Sequence, residues 1–369
     1  MKISIIASEV SKFGELYDLS IFDLSSSIVK RLLSSTELEE SDIEAVFVAN
    51  MAAGSFSNQR HLNAIVSNCF SHHPPAFRIE AACASGGLAL IAAQLALLSG
   101  QYQTVMVLGV EKMTDVDANL ANQILCSAAH SESERGMTFA GLYALVAAAY
   151  LKEYQYSREV LSAVAIKNHA NAMANPMAQF HKELTIDMVN SSADVATPLK
   201  LFDCSPISDG AAAVILSSKS HRNGVEITGF GHAQDHLSLA TRLSLTSFKA
   251  SRVAAKQALE TSGLKLSDLE AVELHDCFTI AELLAAEDLG LSPPGKAGSL
   301  LLEQAGIYAH PDKVNGSGGL KAGGHPVGAT GIKQVAYLAS QIKAGRYQTA
   351  LAHNVGGVGA TAVVHILKG

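Results

Sequence analysis

The chain has 369 residues, 48% of them hydrophobic and 17% charged, with a net charge of -7 at neutral pH. That length and apolar content bury a large core in two domains or two fused halves, which excludes a disordered chain. Lys and Arg are scattered rather than clustered, so there is no electrostatic footprint for nucleic acid, and small-molecule chemistry fits better.

In chain order, the hydrophobic patterning predicts a strand over 2–7, a helix over 24–35, a strand over 45–49, a strand-like run with a turn over 76–81, a helix over 85–98 and a strand over 104–108. The apolar run from Leu88 to Leu98 is interrupted by Gln94 and is too short to span a bilayer. A stretch of about a hundred residues, 112–199, follows. It is rich in His, Asn, Met and Gln, has an Ala/Leu helical middle over 135–155, and reads as a lid. A strand over 211–217 closes the first half. The same alternation then restarts, with elements expected over 226–230, 248–262, 271–274, 280–289, 332–344 and 349–353, where 280–289 takes the place of the strand-like run. Strand and helix in alternation make this an α/β chain.

The restart is more than a resemblance of pattern. Ser41-Asp42-Ile43-Glu44-Ala45-Val46 returns as Ser267-Asp268-Leu269-Glu270-Ala271-Val272, and Gly100-Gln101-Tyr102-Gln103-Thr104 returns as Gly345-Arg346-Tyr347-Gln348-Thr349. Two echoes in the same order argue for a duplicated unit. The expected units are 1–223, carrying the lid, and 224–369.

Four loops carry side chains with chemistry. Glu80-Ala81-Ala82-Cys83-Ala84-Ser85-Gly86-Gly87 places a thiol between a strand-like run and a helix, where unpaired N–H groups and the helix dipole favour thiolate; Cys83 is the first candidate nucleophile. His275-Asp276-Cys277-Phe278 ends a strand, the place where ligand sites gather in open α/β sheets. From that loop alone an Asp cap beside a buried Cys is an equal reading. Gly316 to Gly331 holds seven glycines, and Pro326 fixes the placement of His325, which reads as a positioned base. The spacing of a phosphate-gripping loop is missing there. His353-Asn354-Val355-Gly356-Gly357 lies just past a strand, with N–H groups suited to a developing oxyanion. No set of His, Cys and carboxylates has metal-ligand spacing, so no metal site is expected. The five cysteines lie far apart with no C-x-x-C pair, and 1–6 carries no secretory leader, which points to a reducing, cytoplasmic setting. Cys69, Cys126 and Cys204 read as buried or incidental.

Together the Cys83 elbow, the His-Asp-Cys-Phe loop, the Gly-His-Pro loop and the His-Asn-x-Gly loop resemble thiolases, most closely those of the sterol-carrier-protein type. The likeness extends to Asn175-Pro176 and Gln179-Phe180 in the lid and to Asp203-Cys204-Ser205-Pro206 after it. It implies two βαβαβαββ halves in a layered αβαβα core, with a loop domain inserted in the first half. It further implies that Cys83 is acylated, that His325 takes its proton and that Cys277 is the second catalytic thiol. Asn354 stands where most thiolases have that thiol. His275 stands where most have an Asn that helps hold the thioester oxygen, and the N–H groups of Cys83 and Gly356 would form the other oxyanion hole. Met137 matches a position near the acyl and pantetheine arm. The implied reaction is CoA-dependent cleavage of a 3-ketoacyl-CoA, or the reverse condensation, with CoA and acyl-CoA as substrates and no cofactor. A homodimer or homotetramer is implied, and a zinc-ribbon and OB-fold accessory protein accompanies some relatives. The rival readings are a retro-aldolase or condensing enzyme on the same fold, and a catalytically silent acyl-CoA-binding scaffold.

Overall fold

The computed structural model describes residues 2–221 and 224–369. The expected boundary between units, 223 and 224, meets residues 222 and 223, which lie outside the described residues.

The strands that read as continuous apolar runs, with no alternation, are covered on both faces. Every residue of β2 (Ala45–Ala49), β4 (Thr104–Glu111), β7 (Gly210–Ser217) and β10 (Thr349–Gly356) is buried. With β1 (Ser4–Val10), β3 (Ala76–Ile79), β8 (Val225–Gln234), β9 (Ala271–Glu273) and β11 (Thr361–Lys368) they make a nine-stranded sheet ordered β3-β2-β4-β7-β1-β8-β11-β10-β9. The seam is a short antiparallel pairing of β1 with β8, Ser4 opposite Glu226 and Ile5 opposite Val225. Outward from the seam the two sides repeat one order: first strand, last strand, the strand before it, then the second.

The duplication extends to backbone detail. Gly100 and Gly345 turn at the same left-handed φ, 75° and 74°. The Glu39 N–H donates to Asp42 Oδ2 at 2.9 Å, and its counterpart Lys265 N–H donates to Asp268 Oδ2 at 2.8 Å.

Helices Ser85–Leu98 and Thr330–Lys343 lie between the two half-sheets. Leu90, Ala93 and Leu97 of one meet Ile332, Val335 and Ala339 of the other in a cluster that also takes Val105, Val214 and Ala350 from the strands. The first of these helices is apolar nearly all round, and it leaves Leu95 and Leu98 exposed near its end. Helix Ile21–Ser34 covers the outer face of the first half-sheet through Leu24, Ile28 and Leu32, and helix Lys249–Ser262 covers the second through Ala254 and Ala258. The result is the layered helix–sheet–helix–sheet–helix core. The lid is built from helices Ala118–Cys126, Phe139–Glu153, Glu159–Ala172 and Ile186–Ser191, with a hairpin of β5 (Asp194–Ala196) and β6 (Leu199–Lys200).

One expected element is corrected. The run at 280–289, placed as strand-like, is helix Thr279–Asp288. All ten of its residues are buried, so its sequence has no polar face to reveal a helical period. Beside β9, the strand position instead shrinks to a single parallel bridge between Val272 and Val314. Val314 leads into the Gly-rich loop as β3 leads into the Cys83 elbow.

Candidate active site

The elbow is shaped by its own short side chains. Ala82 adopts φ 52°, the left-handed turn that swings the chain off β3. The Ser85 hydroxyl fixes the turn, donating to Ala82 O at 2.6 Å while accepting Ala81 N–H at 2.9 Å. Cys83 sits two residues ahead of helix Ser85–Leu98, with its own N–H and that of Gly357 facing the sulfur. The thiolate-favouring reading of this helix start is corrected: burial first, then the Glu111 carboxylate, push the Cys83 thiol up to about 12, against the pull of those two N–H groups. At rest Cys83 is a thiol and needs a base.

His325 is placed to be that base. Its backbone N–H donates to Ser208 Oγ at 2.9 Å, and Ser208 in turn donates to Gln179 Oε1 at 2.5 Å. Thr330 gives its one hydroxyl proton to Pro326 O at 2.9 Å, so at 2.7 Å from His325 Nδ1 it can only accept. Nδ1 therefore carries the ring proton and Nε2 keeps its lone pair. Burial, then Lys333, lower the imidazole to about 3, which leaves it neutral at ordinary pH.

His275 takes the opposite tautomer. The Asn354 amide is fixed by two backbone bonds: Oδ1 accepts Gly87 N–H at 3.1 Å and Nδ2 donates to Cys83 O at 3.0 Å. Nδ2 also lies 3.2 Å from His275 Nδ1, which must accept, so the His275 proton sits on Nε2. That Nε2–H is buried without a partner. An orphaned buried donor is costly unless an acceptor arrives, so it is ready for a substrate oxygen. One ring nitrogen each of His275 and His325 and the Cys83 sulfur lie within 4.8 Å of one another. They do not suit a metal ion, because His275 turns a proton, not a lone pair, toward the other two.

Cys277 lies across the same space, 6% exposed. Burial and Cys83 raise its thiol well above the ordinary range, while a hydrogen bond with Tyr143 opposes them. The Tyr143 ring stacks on Phe278 at 4.6 Å between centroids and its hydroxyl donates to Gly357 O at 3.2 Å. Asp276 points away from the cavity. It accepts Leu320 N–H at 2.7 Å and the Asn168 amide at 2.7 Å, clamping the Gly-rich loop from below.

Cys83, Cys277 and His325 thus share one cavity of about 180 Å³ with Tyr143 and Phe278. His275 and Asn354 are tied to this group without lining the cavity, and two further expected residues stand elsewhere. Met137 is 36% exposed and does not line the cavity, whereas Phe139 and Ala140 just after it do. Gly356 lies under the elbow, where a Cβ would come within 2.4 Å of Ala81 O, and the N–H that reaches the Cys83 sulfur belongs to Gly357. Tyr143 and Thr330 were missed, since an aromatic inside an Ala/Leu helix and a Thr at a helix start look like ordinary packing and capping. Cys204, read as incidental, lines the cavity. Glu111, also missed, accepts the N–H groups of Met51 at 2.8 Å, Ala52 at 3.0 Å and Gly328 at 3.0 Å, and burial pushes its carboxyl up to about 7.

The family description "Thiolase, N-terminal domain" matches residues 3–220, and "Thiolase C-terminal domain-like" matches 231–369. The chain is 40% identical over 379 residues to the acetyl-CoA acetyltransferase of Methanothermobacter thermautotrophicus, covering 99% of each protein. It is 31% identical over 378 residues to sterol carrier protein 2 of Homo sapiens, covering 94% of this chain and 67% of that one. Among solved structures, the Ltp2-ChsH2(DUF35) aldolase superposes with a TM-score of 0.84 at 20% identity, over 100% of this chain and 97% of that one, a likeness of fold. With both halves matched and relatives this similar over the whole length, the chain belongs to the thiolase family.

Proposed function

We propose that the protein is a thiolase-type acyltransferase that cleaves a 3-ketoacyl-CoA with CoA, or condenses acetyl-CoA with an acyl-CoA, through an acyl group on Cys83. The observation that carries this reading is the meeting of two protonated thiols and one lone pair on a single cavity, with His275 and its orphaned Nε2–H close beside Cys83 and His325.

In the cleavage direction His325 Nε2 takes the Cys83 proton as sulfur attacks the 3-keto carbon. The N–H groups of Cys83 and Gly357 hold the oxyanion that forms, and the His275 Nε2–H holds the thioester oxygen of the leaving half. The α–β carbon bond breaks, and the pair of electrons it leaves takes the proton of the Cys277 thiol, releasing acetyl-CoA. CoA then attacks the acyl thioester. Its thiol proton restores Cys277, and the departing Cys83 sulfur recovers its proton from His325. Splitting the reaction through a covalent thioester divides one high barrier into two smaller ones, with general acid and base help of about 10² to 10⁴-fold. The scheme calls for CoA and acyl-CoA as substrates and for no other cofactor.

The deciding experiment is incubation with acetyl-CoA followed by intact mass and peptide mapping. One acetyl group on Cys83, absent in Cys83→Ala, is the expected result; an adduct on Cys277 would reverse the two thiols. A retro-aldolase is the second reading, favoured by the similarity to the aldolase structure. It would break the carbon bond with no free CoA and leave no adduct. Among the described residues no helix is long and apolar enough to cross a membrane. We propose a cytoplasmic oligomer of two or four chains, a state that light scattering reads directly.

A further inference from the structure

The cavity at Cys83, about 180 Å³, is smaller than the ~300–1,000 Å³ of a site that encloses a drug-sized ligand. A second groove of about 820 Å³ lies beside it. Pro206 and Ile207 line both spaces, so they are the wall between them. Helix Ala118–Cys126 continues the wall, with Asn122 and Leu125 on the cavity side and Ala118 and Ala121 on the groove side. The groove is lined largely by apolar side chains, including Phe13, Leu16, Val116 and Phe180, and at its edge Tyr17 is 62% exposed.

Two observations indicate what the groove accepts. Ile207 and Val116 belong to the same apolar cluster as Cys83, so the apolar surface runs unbroken from the nucleophile to the wall and into the groove. In the groove itself Phe13, Leu16, Val116 and Phe180 offer an uncharged chain apolar contacts in place of water. An acyl chain anchored on Cys83 begins inside the cluster and is uncharged along its length, so it can leave the cavity only across this wall or back toward solvent.

We propose that Ile207 sets the acyl-chain length this protein accepts: its side chain ends the cavity for short acyl groups, and the groove behind it is a subsite for longer ones. This rests on the acyl-Cys83 reading above. Pro206 is the poorer lever of the two, because its ring also fixes the backbone beside Ser208. Ile207 contributes only a side chain to the wall, and trimming it leaves the Ser208 support of His325 in place.

The test compares the native protein with Ile207→Ala and the milder Ile207→Val. Thiolysis of 3-ketooctanoyl-CoA is measured against acetoacetyl-CoA, and each methylene newly covered in the groove is worth about fourfold in relative rate. The longer-to-shorter ratio is expected to rise by at least about tenfold in Ile207→Ala, and to rise by less in Ile207→Val. In parallel, Cys83 is labelled with N-ethylmaleimide and with N-octylmaleimide and the adducts are mapped by mass, a readout that needs no turnover. The octyl-to-ethyl ratio should rise in the same order. Unchanged or falling ratios in both assays, with Cys83 still labelled by the ethyl reagent, would overturn the proposal and send the chain elsewhere. If the native protein cleaves neither thioester while the maleimide ratio rises as stated, the thiolase reading fails and the wall stands. Should Ile207→Ala misfold, Ile207→Val decides in the same direction.

Discussion

At Cys83 and Cys277 the resting state is thiol at both sulfurs, for one dominant reason: each is enclosed in apolar surroundings that penalise a charge. What separates their roles is geometry. Cys83 is faced by its own N–H and that of Gly357, while Cys277 meets the Tyr143 hydroxyl and the Phe278 N–H. Cys277→Ala should therefore still form the Cys83 adduct and pass it to free CoA, while carbon bond cleavage falls by about 10² or more. Intact mass reads the first property and acetoacetyl-CoA thiolysis the second; a variant that keeps most of its thiolysis would hand the proton to another group. The sequence made Cys83, Cys277, His275, His325 and Asn354 visible because each interrupts a Gly-rich or strand-end loop. Tautomers were not visible there, since they depend on Thr330 and Asn354 meeting rings that are distant in the chain.

The Gly-rich loop shows how an element carries a base without being rigid by sequence. Its glycines give it freedom, and tertiary clamps remove that freedom again. Gly319 turns at φ 59°, and a Cβ there would approach Asp276 Oδ2 to 2.3 Å. Gly319→Ala should lose on the order of 2 kcal/mol or more in urea unfolding, from the strained turn and the displaced carboxylate together. It should also slow acylation, because the loop that Asp276 clamps continues into His325. Unchanged stability would mean that the loop shifts freely and that Asp276 holds nothing. The crowding of glycines was legible in the sequence, and so was the need for close approach. The partner was not, because Asp276 read equally well as a cap for its own helix. Helix Thr279–Asp288 failed for a related reason: full burial removed the polar stripe that distinguishes helix from strand.

Across the whole molecule, the duplicated plan was the most legible feature, because each echo marks the same capped turn before the same strand in both halves. How the halves share their interior was not, since the seam is made of contacts between residues more than two hundred positions apart. That interior also sets the response to acid. Burial lowers His325, His353 and His365 to about 3 and His169 to about 4, so the unfolded chain binds their protons first as pH falls below about 6.5. Each such group takes away about 1.4 kcal/mol of stability per pH unit through that window, until the folded histidine titrates as well. Burial raises Glu111 to about 7 and Asp276 and Asp288 to about 6, and these carboxyls act in the opposite sense, binding protons in the folded state first between about pH 7 and 4. Burial also lowers His275 and His232 and raises Glu287, so six groups stand against four, and stability falls gently down to about pH 4.5 and faster below it, where the carboxyls no longer offset the histidines. Melting temperature should decline gently from about pH 6.5 to 4.5 and drop more steeply below; a melting temperature that stays level down to pH 4.5 in calorimetry would contradict this balance. The two central helices, finally, touch glycine to glycine, and a Cβ on Gly86 would come within 2.8 Å of Gly331 N, and one on Gly331 within 2.4 Å of Gly87 N. The nucleophile stands just before one helix start and the base just before the other. The spacing between them is therefore that of a caliper whose jaws are the two helix starts, and two hydrogen atoms where side chains would otherwise stand keep it closed.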